Sequence, residues 1–143
     1  MAPRSSRSSK NNSEHEAGRL ANRIASKFLK KKFNPDFVEV VFIPNAELRA
    51  LKARFYSKAQ VPAFVDVLAF PRGKFPHPER PGFLGELYLN RSLTKSKRGE
   101  LARMVIHGTL HLLGYDHMKK GARIEMERFE QIFYKQYSSG KFN

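Results

Sequence analysis

The chain is 143 residues long, 41% hydrophobic, and carries 27 Lys and Arg against 13 Asp and Glu, a formal charge of +14. That length suits one domain with a tail, and so one-sided a charge favours nucleic acid or an anionic membrane surface as partner. The absence of cysteine excludes a disulfide framework, a thiolate nucleophile and a Cys-based zinc site.

Residues 1–13 are mostly Ser, Asn, Lys and Arg with no apolar stripe to bury, and read as a disordered basic tail ahead of a single domain over 14–143. Nine basic residues against Glu14 and Glu16 place half of the excess charge within residues 1–32. From Glu14 to about Lys32, Ala17, Leu20, Ile24 and Phe28 recur at helical spacing, and Asn34-Pro35 ends the helix. Its apolar face is narrow and lacks Trp, which counts against a membrane-surface role.

Residues 37–43 are β-branched and aromatic, a strand by composition; their run Val40-Val41-Phe42-Ile43 is too short to cross a bilayer. Asn45 is placed to cap a helix from Ala46 to about Tyr56, with Leu48, Leu51 and Phe55 as its stripe. Residues 64–70 form a second strand, and Pro71, Pro76, Pro78 and Pro81 with Gly73 and Gly82 mark a surface loop. Residues 83–89 form a third strand in which Gly85 signals a bulge or a close approach. Thr94 or Ser96 caps a helix running to about Leu113, and Gly114 stands where a left-handed C-terminal glycine belongs. A last helix over 119–137 turns Ile124, Phe129, Ile132, Phe133 and Tyr137 inward, and residues 138–143 read as a loose exit. Helix, strand, helix, strand, strand, helix, helix predicts a small mixed sheet with helices packed against it.

Chemistry concentrates in His107-Gly108-Thr109-Leu110-His111-Leu112-Leu113-Gly114-Tyr115-Asp116-His117. Histidines four apart share a helix face and aim two imidazoles at one point. Gly114 then turns the chain so that His117 returns to that point. The order His, His, Gly, His matches the long zinc-protease motif in spacing. A protease carries its Glu base directly after the first His, where this chain has Gly108. Three imidazoles leave a fourth tetrahedral position for water, the catalytic rather than the structural arrangement. His15, at the start of a charged helix, and His77, in the Pro-rich loop, read as solvent-exposed.

With these residues in view, the sequence resembles the YbeY family of rRNA-maturation endoribonucleases. His107 to His117 reads as that family's HGxLHLxGYDH signature without a mismatch. Asp66-Val67-Leu68-Ala69-Phe70-Pro71 is similar to its TDVLSFP strand, and Phe83-Leu84-Gly85-Glu86-Leu87-Tyr88-Leu89 to its LGDI-type strand. Glu125-Met126-Glu127 falls in its acidic C-terminal helix, so the resemblance covers about residues 37–137. It implies an α+β fold with the His-bearing helix beside a mixed sheet, one bound zinc ion, and cleavage of single-stranded RNA. It also implies work on small-subunit rRNA in ribosome biogenesis, with a cytoplasmic location; import into an organelle through the Arg- and Ser-rich start is the alternative.

Carried over residue by residue, His107, His111 and His117 are the metal ligands and Asp116 matches the family's acidic residue, with a solvent-ordering role. The family's arginine, in a YRxKD-like stretch, aligns with Tyr56; Arg54, or Lys58 as second choice, stands in as the phosphate-neutralising cation. The family's Ser and Thr around the second strand are Ala69 and Val65 here. The function expected is metal-assisted hydrolysis of RNA phosphodiesters, with the basic tail adding affinity. The alternative is a non-catalytic zinc-containing factor that binds RNA or the ribosome.

Overall fold

The computed structural model describes residues 4–55, 61–72, 82–115 and 120–142, with side chains from residue 13 onward except Lys120. Among them, four helices and three strands follow in the order α1 (Arg4–Leu29), β1 (Val38–Ile43), α2 (Asn45–Phe55), β2 (Val67–Pro71), β3 (Gly85–Asn90), α3 (Arg98–Leu112) and α4 (Lys120–Ser138). A 3₁₀ turn over Arg91–Lys95 joins β3 to α3. The architecture is α+β. No helix of the described residues is long and apolar enough to cross a membrane.

The last strand in sequence is the middle one in space. The sheet order is β1-β3-β2, with β3 parallel to β1 and antiparallel to β2. Side chains alternate across a strand, so β3 must find apolar cover on both faces. Leu87 and Leu89 enter the larger core with Val38 and Phe42 of β1, beneath α1 and α3. Tyr88 turns the other way and joins Leu68, Phe70, Leu48, Leu51 and Phe55 under α2. There the Phe70 ring meets Phe55 and Tyr88 edge-on, each with centroids 5.5 Å apart. Gly85 lets β2 and β3 close up: with φ +147°, its Cβ would lie 2.3 Å from the Phe70 carbonyl oxygen. The sequence signal of a close approach is realised.

Helix α1 begins at Arg4, ten residues ahead of the start expected at Glu14, because no Gly or Pro interrupts residues 4–17. Ala17, Leu20, Ala21, Ile24 and Ala25 are buried along it against α3 and β1. From the same helix, the Asn22 amide bridges to the outer edge of β1: Oδ1 accepts from Val38 N–H at 2.8 Å and Nδ2 donates to its carbonyl at 3.1 Å.

Four local expectations need correction. Strand β2 starts at Val67, not Phe64, because neighbouring side chains take the preceding peptide groups. Asn45 Oδ1 accepts from Val65 N–H at 3.0 Å, and Asn90 Nδ2 donates to the Val65 carbonyl at 2.9 Å. Asn45 is therefore a brace between α2 and β2, and its Oδ1 also accepts from Asn90 Nδ2 at 3.0 Å. Neither Thr94 nor Ser96 caps α3: their hydroxyls donate to the Arg91 and Leu93 carbonyls, and the cap residue is Lys97 without a side-chain bond. On α4, Ile124 (57% exposed) and Ile132 (40%) face outward while Met126 is buried, since Met126, Phe129, Phe133 and Tyr137 share one face. The exit is also tied down: Phe142 is buried, its ring 6.3 Å from that of Phe133 and 5.1 Å beneath Lys27 Nζ.

Candidate active site

Helix α3 carries the first two histidines of the cluster and packs against α1, α4, β2 and β3. Its buried face includes Ala102, Val105, Ile106, Thr109 and Leu110, leaving residues 103, 107 and 111 on a partly exposed face. Gly108 lies on the sheet side. A Cβ there would stand 2.8 Å from Leu87 Cδ2 and 3.1 Å from Val67 Cγ2. A glutamate at this position would be driven into the sheet, so the protease base is excluded by packing as well as by residue type.

The helix stops as the glycine predicts. Gly114 has φ +104°, its N–H donates to the His111 carbonyl, and Tyr115 N–H donates back to the Leu110 carbonyl, each at 3.1 Å. That pair of bonds is the Schellman arrangement, which satisfies carbonyls the helix would otherwise leave bare. Tyr115 then docks between helices, its ring 5.7 Å from Phe28 of α1 and 5.4 Å from Phe129 of α4. Burial, with Glu125 nearby, raises the Tyr115 hydroxyl above its ordinary pKa.

The two imidazoles meet through their outer nitrogens. His107 Nε2 and His111 Nε2 are 3.1 Å apart, the rings nearly perpendicular with centroids at 4.7 Å. On the other edge of the first ring, His107 Nδ1 lies 3.1 Å from Glu130 Oε2 of α4. Both side chains are only partly exposed, at 26% and 31%. A carboxylate there favours the tautomer with the proton on Nδ1, which leaves the Nε2 lone pair facing His111. Two nitrogens so placed can share a proton or a cation.

Of the five site residues expected from sequence, the structure brings together His107 and His111. Asp116 and His117 lie outside the described residues, as do Tyr56, Lys58 and His77. Arg54 stands in the last turn of α2, on the sheet face opposite α3, exposed and with its guanidinium 5.3 Å over the Phe55 ring. Among the described residues no three His, Asp or Glu side chains gather as a metal-binding group. Glu130 is the site residue that sequence reasoning missed. Its signal was an acidic residue in register with the inward face of α4, between Met126 and Phe133.

Comparison with known proteins bears on the same residues. The family model described as Endoribonuclease YbeY matches residues 4–138. The Endoribonuclease YbeY of Rhizobium etli is 34% identical over 106 residues, 67% of this chain and 60% of that protein. That of Pelagibacter ubique is 30% identical over 118 residues, 76% of this chain and 72% of the relative. That of Thermodesulfovibrio yellowstonii is 32% identical over 109 residues, 68% of this chain and 66% of the relative. The matched stretch thus spans between 60% and 72% of these three relatives. A match over nearly the whole length settles the kinship: this chain belongs to the YbeY family.

Proposed function

We propose that the chain is a metal-dependent endoribonuclease cutting single-stranded rRNA during small-subunit maturation, with one zinc ion held by His107, His111 and His117. The observation that carries this reading is the convergence of His107 Nε2 and His111 Nε2 at 3.1 Å, with Glu130 behind the first ring. Two ligand nitrogens on a tetrahedral zinc, each about 2.0–2.1 Å from it, stand about 3.3 Å apart. The two described donors, His107 and His111, therefore fit such an ion with little movement. Bound there, zinc supplies Lewis acidity and lowers the pKa of a coordinated water to about 7.

The chain's own residues do the rest. Glu130 holds the Nδ1 proton of His107, which keeps Nε2 available as a donor pair and fixes the ring's orientation. Arg54, with Lys58 as the second choice, neutralises charge on the RNA backbone away from the phosphodiester that the histidines address, since Arg54 lies across the sheet from them, and Asp116 orders solvent beside the imidazoles. The basic character of α1 adds salt-dependent affinity for a polyanion without reading its sequence. The site of action is the cytoplasm.

Purified protein with its metal quantified, incubated with single-stranded rRNA, tests the reading. His111→Ala should lose both zinc and cleavage; cleavage retained by that variant would overturn the metal mechanism. One observation favours a second reading, a non-catalytic RNA-binding factor: Arg54 stands on the sheet face opposite the histidine helix. Zinc present with no cleavage by the wild-type chain selects that reading.

A further inference from the structure

One turn ahead of His107 on α3 stands Arg103, and one turn beyond Glu130 on α4 stands Tyr134. The two pairs form successive rungs across the same helix interface. Arg103 Cζ lies 3.7 Å from the centroid of the Tyr134 ring, close enough for the guanidinium to lie directly on the aromatic face. The ring has its own seat. A Cβ at Gly99 would fall 2.7 Å from Tyr134 Oη, so the hydroxyl rests against α3 where no side chain intervenes. Tyr134 thus lies along one turn of α3, from Gly99 to Arg103, with the guanidinium as its roof.

Arg103 is exposed, and no carboxylate among the described residues forms an ion pair with it. The ring occupies one side of the guanidinium, whose N–H donors make no hydrogen bond to the described residues. A cavity of about 140 Å³ opens beside it, lined by Arg103, Met104, Ile106, Glu130 and Tyr134. Glu130 is the anion on that wall, and its Oε2 is engaged with His107 Nδ1. A held arginine beside a small cavity, without a carboxylate partner, has the donor geometry for an oxyanion. Residues four apart on a helix are separated by about 6 Å of rise, a spacing on the scale of one nucleotide step.

We infer that Arg103, seated on Tyr134, is a phosphate subsite that grips the RNA strand one step away from the phosphate addressed by His107 and His111. This rests on the endoribonuclease reading and adds a contact that neither Arg54 nor the basic part of α1 supplies. Arg103 binds; it takes no part in bond cleavage. Tyr134 is a positioning residue that acts through it.

The test uses the full, zinc-loaded chain and a fluorescent single-stranded oligoribonucleotide, with binding followed by anisotropy across a salt series and cleavage by steady-state kinetics. Arg103→Ala should weaken binding about five- to tenfold and lower the salt slope by about 0.7, the value for one phosphate contact on a single strand. The loss should appear mainly in KM, with zinc content and the unfolding midpoint unchanged. Arg103→Lys should keep the slope while losing part of the affinity, since lysine keeps the charge without the planar stack. Tyr134→Leu should behave like the lysine variant, because the charge remains and its seat is gone. An Arg103→Ala protein that binds with wild-type affinity and slope overturns the subsite and leaves the endoribonuclease reading standing. A wild-type chain that neither binds nor cuts RNA overturns both.

Discussion

His107 shows how much a single contact decides. Its Nδ1 faces Glu130 and its Nε2 faces His111, so one carboxylate sets which nitrogen is available for chemistry. Glu130→Gln can still accept a hydrogen bond from Nδ1 but removes the charge that favours the useful tautomer. Partners of this kind are worth about 10- to 100-fold in metal affinity, so the variant should fold normally and release zinc to a chelator at correspondingly lower concentration. Unchanged zinc affinity would remove Glu130 from the site. Gly108 makes the opposite point, a residue defined by lack of space. Gly108→Ala presses a methyl group against Leu87 and Val67, and overpacking of that kind costs about 1–3 kcal/mol. Chemical denaturation should show that loss; full stability would mean that α3 can lift away from the sheet. The histidine pair was legible in the sequence because its spacing lies within one helix. Glu130 was not, because its partner belongs to another helix and only packing sets the register between them.

At the scale of elements, strand β3 carries a titration of its own. Tyr88 donates to Glu86 Oε2 at 3.2 Å. Burial first, then the charge and hydrogen bond of Glu86, then the charge of Glu39, push the Tyr88 hydroxyl up to about 12 from 10.0. The group is neutral in the folded chain at pH values where the unfolded chain already ionises it. Its contribution to stability is therefore complete below pH 10 and is lost as pH rises from 10 toward 12. Relative to Tyr88→Phe, wild-type stability measured by urea unfolding should fall across that interval; parallel curves would show that the hydroxyl ionises freely. The presence and kind of each strand could be read from β-branched and aromatic runs. The start of β2 could not, since Asn45 and Asn90 reach in from elsewhere to take the peptide groups of Val65. Likewise Ile124 and Ile132 looked buried by hydrophobicity, but the face of α4 that meets α3 was fixed by Met126, Phe129 and Phe133.

For the whole molecule, charge and chemistry occupy different places. Half of the excess positive charge lies within residues 1–32, outside the histidine helix. Composition pointed toward a polyanion, while the histidine spacing pointed to the reaction. The α+β class followed from the alternation of elements, yet the strand order did not, because pairings between distant segments leave no local periodicity. Joining β1 to β3 links residues nearly fifty positions apart: Val38 faces Gly85 and Ile43 faces Asn90. The sheet has its middle strand last in the chain.

That ordering has a consequence for a chain made from its N-terminus. Both outer strands leave the synthetic machinery before the strand that joins them exists. Until residue 90 has emerged, β1 and β2 each present open peptide groups, the condition in which nascent chains pair with the wrong neighbour. Helix α1, already complete, holds Asn22 against the free side of Val38 and shields part of one of them. A translational pause is therefore most hazardous while the emerged chain ends between residues 71 and 90, and harmless to the sheet once β3 has been delivered.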